Sequence, residues 1–125
     1  MLCDSNVLIY AADPTNTCCL PFVEREDAAI ASLSRIEVLG FHGINKLSDN
    51  QRNRMTDIVE SLIELHLSTQ VIQQAITLGQ EKKMGLADAI IAATALVHSI
   101  PLATRNVDDF KHIAGLRIVN PFEAL

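Results

Sequence analysis

Acidic residues stand at four points where apolar stretches begin or end: Asp4 in LCDSN, Glu37 in SRIE, Asp88 in LADAII and Asp109 in TRNVDDF. A carboxylate beside a buried run is costly unless something bonds or pairs with it. Each has an ordinary structural excuse. Asp4 can cap a helix by accepting a backbone N–H, worth about 1 kcal/mol. Ser34 and Glu37, three residues apart, have the spacing of a capping box with Ser34 at the N-cap. Asp88 falls in a helix's first turn, where the helix dipole favours an acid. Its neighbours Leu86, Ala87, Ala89, Ile90 and Ile91 nevertheless predict a helix buried on most sides. Asn106, with Asp109 three residues on, is another helix start, and Phe110 then fixes the turn in the core.

The elements that must position these groups follow from hydrophobic period and from Gly and Pro punctuation. Strands are expected at 1–3, 28–34, 64–68, 101–104 and 116–119. Helices are expected at 5–12, 20–26, 35–40, 49–62, 69–82 and 86–99, with a helical turn or two in 107–113. Pro14 to Thr17 marks one loop, and Gly40 and Gly43 bracket another. Strands alternating with helices predict an α/β domain with a mainly parallel sheet of about five short strands. Function in such sheets gathers outside the carboxyl ends of the strands. Asp4, the Ser34/Glu37 pair and the Thr104/Asn106/Asp109 group all follow strands and so share that edge, and the Asp88 helix can pack over it.

Carboxylates converging in one cleft raise one another's pKa unless a cation sits among them. No Lys or His recurs beside these acids, although Arg35 and Arg105 flank two of the stretches. A hard divalent ion such as Mg2+ or Mn2+ suits carboxylate and amide oxygens better than zinc does. Two such ions about 4 Å apart can drive in-line attack on a phosphodiester.

The 125 residues suffice for one domain, taken as residues 1–125, and 49% of them are apolar. A formal charge of −5 repels polyanions, so a nucleic-acid substrate calls for a cationic mediator. Lys46, Arg52 and Arg54 come nearest to a basic cluster, and a solvated loop and helix face is the favoured account of them. Asp57, Glu60 and Glu64 read as a solvated stripe. The four His are scattered and the three Cys match neither a disulfide framework nor a zinc site. Without Trp, base-stacking platforms are not expected. No apolar run is long enough to span a bilayer and the first residues lack a signal-peptide pattern, so no membrane association and a cytoplasmic address are expected.

DSN after the first strand, S-x-I-E, LADAIIAATAL and TRNVDDF, in this order, resemble the PIN domain, and most of all the VapC-type toxins of bacterial toxin–antitoxin pairs. The resemblance spans the chain from Asp4 to the final strand. It implies a three-layer α/β/α fold and a metal-dependent endoribonuclease that uses metal-bound water and leaves 3′-hydroxyl and 5′-phosphate ends. The implied catalytic acids are Asp4, Glu37, Asp88 and Asp109. Asp4, Asp88, Asn106 and Asp109 are the implied ligands of Mg2+ or Mn2+, supported by Asn6, Ser34 and Thr104. Implied partners are RNA, a small antitoxin protein and a second copy of the chain. The chain departs from the family pattern at Asn106, where many PIN domains carry an acid. A catalytically inactive PIN fold serving as an RNA-binding or interaction module is the alternative. A receiver domain or a haloacid-dehalogenase-like phosphatase fits poorly, since paired acids and D-x-D are missing after strand one.

Overall fold

The computed structural model describes residues 1–123. At the centre of the sheet lies β1 (Leu2–Cys3), flanked by β2 (Ala29–Ala31) and β4 (Leu102–Ala103). Outside these lie β3 (Ile63–Leu65) beside β2 and β5 (Ile118–Val119) beside β4. All four pairings are parallel, with Leu2 level with both Ala29 and Leu102.

A parallel sheet must be covered on both faces, and the alternation of side chains along each strand shows how this is done. Leu2, Ala29, Ala31 and Leu102 point to one face, against α5 (Thr69–Glu81), α6 (Leu86–His98) and the single turn α7 (Val107–Phe110). Val71, Leu78, Ile91, Ala92 and the fully buried Phe110 fill that side. Cys3, Ile30 and Ala103 point the other way. They meet α1 (Ser5–Ala12), α2 (Leu20–Val23), α3 (Ser32–Leu39) and α4 (Asp49–Ser61) through Val7, Leu8, Val23, Val38, Met55 and Val59. The result is the expected three-layer α/β/α arrangement. From β1 the chain builds outward to β3, then crosses back to β4 and β5. The carboxyl ends of β1 and β4 therefore flank the point where strand order reverses, which is where open α/β sheets hold ligands.

Several boundaries differ from expectation: α2 stops at Val23, short of residue 26, and β5 begins at Ile118, two residues late. Residues 32–34 belong to α3 and not to β2, because the ladder ends where Ala31 meets Leu65. The N-cap of α3 is Ala31, with no side-chain cap, so Ser34 and Glu37 form no capping box. β3 begins earlier and stops at Leu65, since Ser68 caps α5 by accepting the Val71 N–H at 3.2 Å. Residues 42–46, expected as loop, make a short 3-10 helix (His42–Lys46). Gly40 ends α3 where a Cβ would lie 2.5 Å from the Ile36 carbonyl oxygen, a spacing no side chain tolerates. Among the described residues no helix is long and apolar enough to cross a membrane.

Candidate active site

Asp4 is the residue in which strand and helix chemistry meet. Its N–H closes the β1–β4 ladder on the Ala103 carbonyl at 2.9 Å, and its extended backbone makes it the N-cap of α1. Yet the carboxylate caps incompletely. Oδ1 accepts only the adjacent Ser5 N–H, at 2.8 Å, whereas a strong cap reaches the second or third helical N–H. Oδ2 turns to the sheet edge, where the buried Thr104 hydroxyl donates to it at 2.7 Å and the Asn6 amide lies 3.4 Å away. Asp4 is only 7% exposed. Burial pushes its pKa up, against the pull of the Thr104 and Ser5 bonds, and the charges of Glu37 and Asp109 push the same way.

Asp88 sits in the first turn of α6, whose N-cap Gly85 offers no side chain. It is half-buried, and among the described residues no hydrogen bond helps hold its charge. Burial raises its pKa first, then the charges of Asp109, Asp4 and Glu37. Glu37 reaches the same place from α3 and accepts the Ser5 hydroxyl at 2.9 Å. Asp4, Glu37, Asp88 and Asn106 line a cavity of about 290 Å3 together with Ser5, Asn6 and three apolar side chains. Asp109 lies next door, on a cavity of about 480 Å3 at the ends of β4 and β5 that also includes Asn106. It is near enough for its charge to act on both Asp4 and Asp88.

Four acids in mutual range, with no cationic side chain on the wall of the smaller cavity, make an anionic hollow. Arg35 is turned away in an ion pair with Glu64, and Arg105 is held by Tyr10. Among the described residues no three His, Cys, Asp or Glu side chains stand as a group ready to hold an ion together. The carboxylates sense one another without closing on one point, as like charges do. Their donor set, carboxylate oxygens and the Asn106 amide, fits a hard divalent cation and not zinc. Ser34, expected as a supporting residue, lies one turn before Glu37 in α3 and lines neither cavity. Its hydroxyl is fully buried and finds no partner among the described residues.

Asn106 occupies the N-cap position of α7 without a side-chain cap bond, and its N–H donates to Thr104 Oγ1 at 3.1 Å. Asn6 and Thr104 thus stand where support for Asp4 was expected. Lys46, Arg52 and Arg54 do not line the acidic cavity. Arg52 pairs with Asp49, and Arg54 borders a separate cleft of about 450 Å3 between the end of α1, the start of α2 and α4. That cleft is larger but mainly apolar, so chemistry and not size marks the site. Glu64, expected to be solvated, is instead tied to Ser32 and Arg35. Ser5 was missed from sequence. Its only signal was its place inside DSN, and its partner lies 32 residues away.

Comparison with known proteins agrees with this fold. The PIN domain family matches residues 1–116. The VapC ribonuclease Y4jK of Sinorhizobium fredii is 47% identical over 53 residues, 42% of this chain. That match takes in 36% of the relative, so the chain spans about a third of its length. A toxin–antitoxin complex from Klebsiella pneumoniae superposes with a TM-score of 0.78 at 31% identity, over 98% of each chain. VapBC2 of Rickettsia felis, bound to a DNA fragment from its promoter, gives 0.79 at 20% identity over 95% and 96% of the two chains, a likeness of fold alone.

Proposed function

The chain belongs to the PIN domain family, and from that premise we propose that it is a divalent-cation-dependent endoribonuclease, the toxin of a VapC-type toxin–antitoxin pair. One observation carries the reading: Asp4 is buried at the switch point of the sheet with its pKa raised, facing Asp88, Glu37 and Asp109 and no cationic side chain. A buried structural acid would be given a cationic partner. An acid kept for a cation is left waiting.

Each side chain then has a task. Thr104 and the Ser5 N–H fix the rotamer of Asp4, so both of its oxygens are pre-aimed. The Ser5 hydroxyl holds Glu37 toward the same cavity. Asp88, unbonded, is free to turn onto an ion. Asp4, Asp88, Asn106 and Asp109 would hold the ion, with Asn106 giving a neutral oxygen where an acid would bind more tightly. A bound Mg2+ or Mn2+ supplies Lewis acidity toward a phosphoryl oxygen and lowers the pKa of water. Ile9, Ala87 and Ile91 make the remaining wall apolar, which strengthens charge interactions at the site.

The test is cleavage of RNA by the purified chain with Mg2+ or Mn2+, reading product ends. Asp4→Asn and Asp88→Asn are each expected to cut the rate by about 100-fold or more while remaining folded, and EDTA should stop the wild type. The neutral Asn106 and the absence of a ready three-acid group among the described residues favour a second reading, a PIN fold that binds RNA or protein without cutting. No cleavage under any divalent ion, with binding intact, would select it. The Klebsiella pneumoniae likeness supports a small antitoxin as partner. A co-encoded protein that copurifies and blocks cleavage is the expected finding, as is a homodimer in solution.

A further inference from the structure

Arg105 is an exposed arginine that no described carboxylate neutralises, standing one residue beyond the Thr104 that anchors Asp4. It is nonetheless held firmly. Its Nη1 donates to the Tyr10 hydroxyl, and its Cζ lies 4.6 Å from the Phe122 ring centroid and 5.3 Å from that of Tyr10. Those two rings pack edge to face at 5.0 Å, so the guanidinium rests on a rigid aromatic corner. The Arg105 N–H also points to Asn6 Oδ1 at 3.4 Å, tying this corner to the helix that carries the acid cavity. Immobilising a long cationic side chain costs rotamer entropy, and the aromatic faces offset it without cancelling the charge. One of five N–H donors is used on Tyr10, and the rest remain available.

Location supplies the partner. Arg105 lines the cavity of about 480 Å3 at the ends of β4 and β5, which shares Asn106 with the acidic cavity. Among the described residues it is the only cation on that wall, which it shares with Asp109 and Glu123, while Asp108 beside it is paired with Lys111 at 3.0 Å. The shared Asn106 gives a polynucleotide with one phosphodiester over the acids a direct path into this neighbour. A planar, pre-aimed guanidinium with spare donors is the side chain best suited to a phosphate oxygen pair.

We propose that Arg105 binds the backbone phosphate next to the scissile one and so sets the path of single-stranded RNA across the site. This rests on the ribonuclease reading and adds a residue to it. A phosphate contact is blind to sequence, so a fluorescein-labelled ten-nucleotide RNA of mixed sequence is an adequate probe. Binding is read with Mg2+ in an Asp88→Asn background, and cleavage of total cellular RNA is read in parallel on the chain with Asp88 intact. Arg105→Gln is expected to weaken binding about tenfold and to lower the slope of log Kd against log salt by about 0.7. With Asp88 intact it should raise KM and leave kcat within about twofold. Arg105→Lys should restore the salt slope but not the full affinity, because a lysine keeps the charge and loses the fork. Wild-type affinity and slope in a folded Arg105→Gln protein would overturn the proposal while leaving the ribonuclease reading standing, as would wild-type affinity in Arg105→Lys. If only the hold on a copurifying protein weakened, Arg105 would be a protein contact and the proposal would fall. A wild type that neither binds nor cuts RNA would take down both.

Discussion

Two carboxylate centres lie along the same edge of the sheet and have been given opposite treatment. At the ends of β2 and β3, Glu64 accepts the Ser32 hydroxyl at 2.7 Å and the Arg35 guanidinium at 2.8 Å, with His66 3.4 Å away. Its pKa is lowered, first by the Ser32 bond and then by Arg35. At the ends of β1 and β4, Asp4 and Asp88 have their pKa raised first by burial and then by neighbouring acids, Glu37 and Asp109 acting on both. The residue types are the same and the distance along the sheet is short. What differs is countercharge: Glu64 has a cationic partner within the chain, and among the described residues the cavity around Asp4 and Asp88 is lined by none. Surface ion pairs contribute little to stability, so the outer centre is a modest brace for the edge of the sheet. The inner centre carries charge that burial in the fold opposes.

Exchanging charge for amide at each centre breaks the comparison most directly. Asp4→Asn should raise the Tm of metal-free protein by about 2–4 °C, because it removes a charge the fold opposes, and should abolish cleavage. Glu64→Gln should lower Tm slightly and leave cleavage within about twofold. Adding Mg2+ should then raise the wild-type Tm through selective binding to the folded state, and this shift should vanish in Asp4→Asn. Equal Mg2+ shifts in Asp4→Asn and Glu64→Gln would show that the inner centre is not the ion's site.

Acidity separates the two centres with opposite signs. A carboxyl whose folded pKa is raised is more stable in the fold when protonated. The Asp4 and Asp88 contribution is therefore fully present below their unfolded pKa, about 3.9, and is lost as pH rises through their higher folded values. Glu64, with a lowered folded pKa, contributes above its unfolded value and loses that contribution as pH falls through the folded one. Scanning Tm against pH in EDTA, the wild type minus Asp4→Asn difference should fall as pH rises above about 4. The wild type minus Glu64→Gln difference should rise with pH over the acid range. A common sign in both would contradict the assignment of countercharge.

These two centres also mark how far sequence reasoning reaches. Asp4 could be placed from LCDSN alone, because the end of a strand and the start of a helix are written in adjacent residues. Asp88 was legible from its place in the first turn of a mostly apolar helix, and the layer order and the parallel sheet from the alternation of strands and helices. Glu64 was misplaced because its helical spacing after Asp57 and Glu60 mimicked a solvated stripe, and only the pairing of β3 with β2 brings it to Ser32 and Arg35. The capping box assigned to Ser34 and Glu37 failed likewise. The spacing was right, but where β2 runs out is decided by its neighbour and not by its own residues. Hydrogen bonds such as Ser5 to Glu37 span 32 residues and leave no periodic trace.

The smallest expected effect sharpens the comparison inside one helix. Ser32 and Ser34 both lie in the first turn of α3, two residues apart, so they point to different sides of it. Ser32 belongs to the outer centre and its hydroxyl is used. Ser34, on the same side as Glu37, is fully buried with an oxygen that meets no partner among the described residues. Burying an unsatisfied hydroxyl costs stability, and alanine is the better helix former, so Ser34→Ala should stabilise metal-free protein by about 1 kcal/mol. Ser32→Ala should instead lower Tm by about 2 °C, since it strips Glu64 of its first bond. If Ser34→Ala stabilises the bare protein yet weakens the Mg2+-induced rise in Tm, the hydroxyl belongs to the same unfinished centre as Asp4. A Ser34→Ala protein less stable than wild type without metal would mean that its oxygen already has a partner, and that the inner centre is less open than the carboxylates make it.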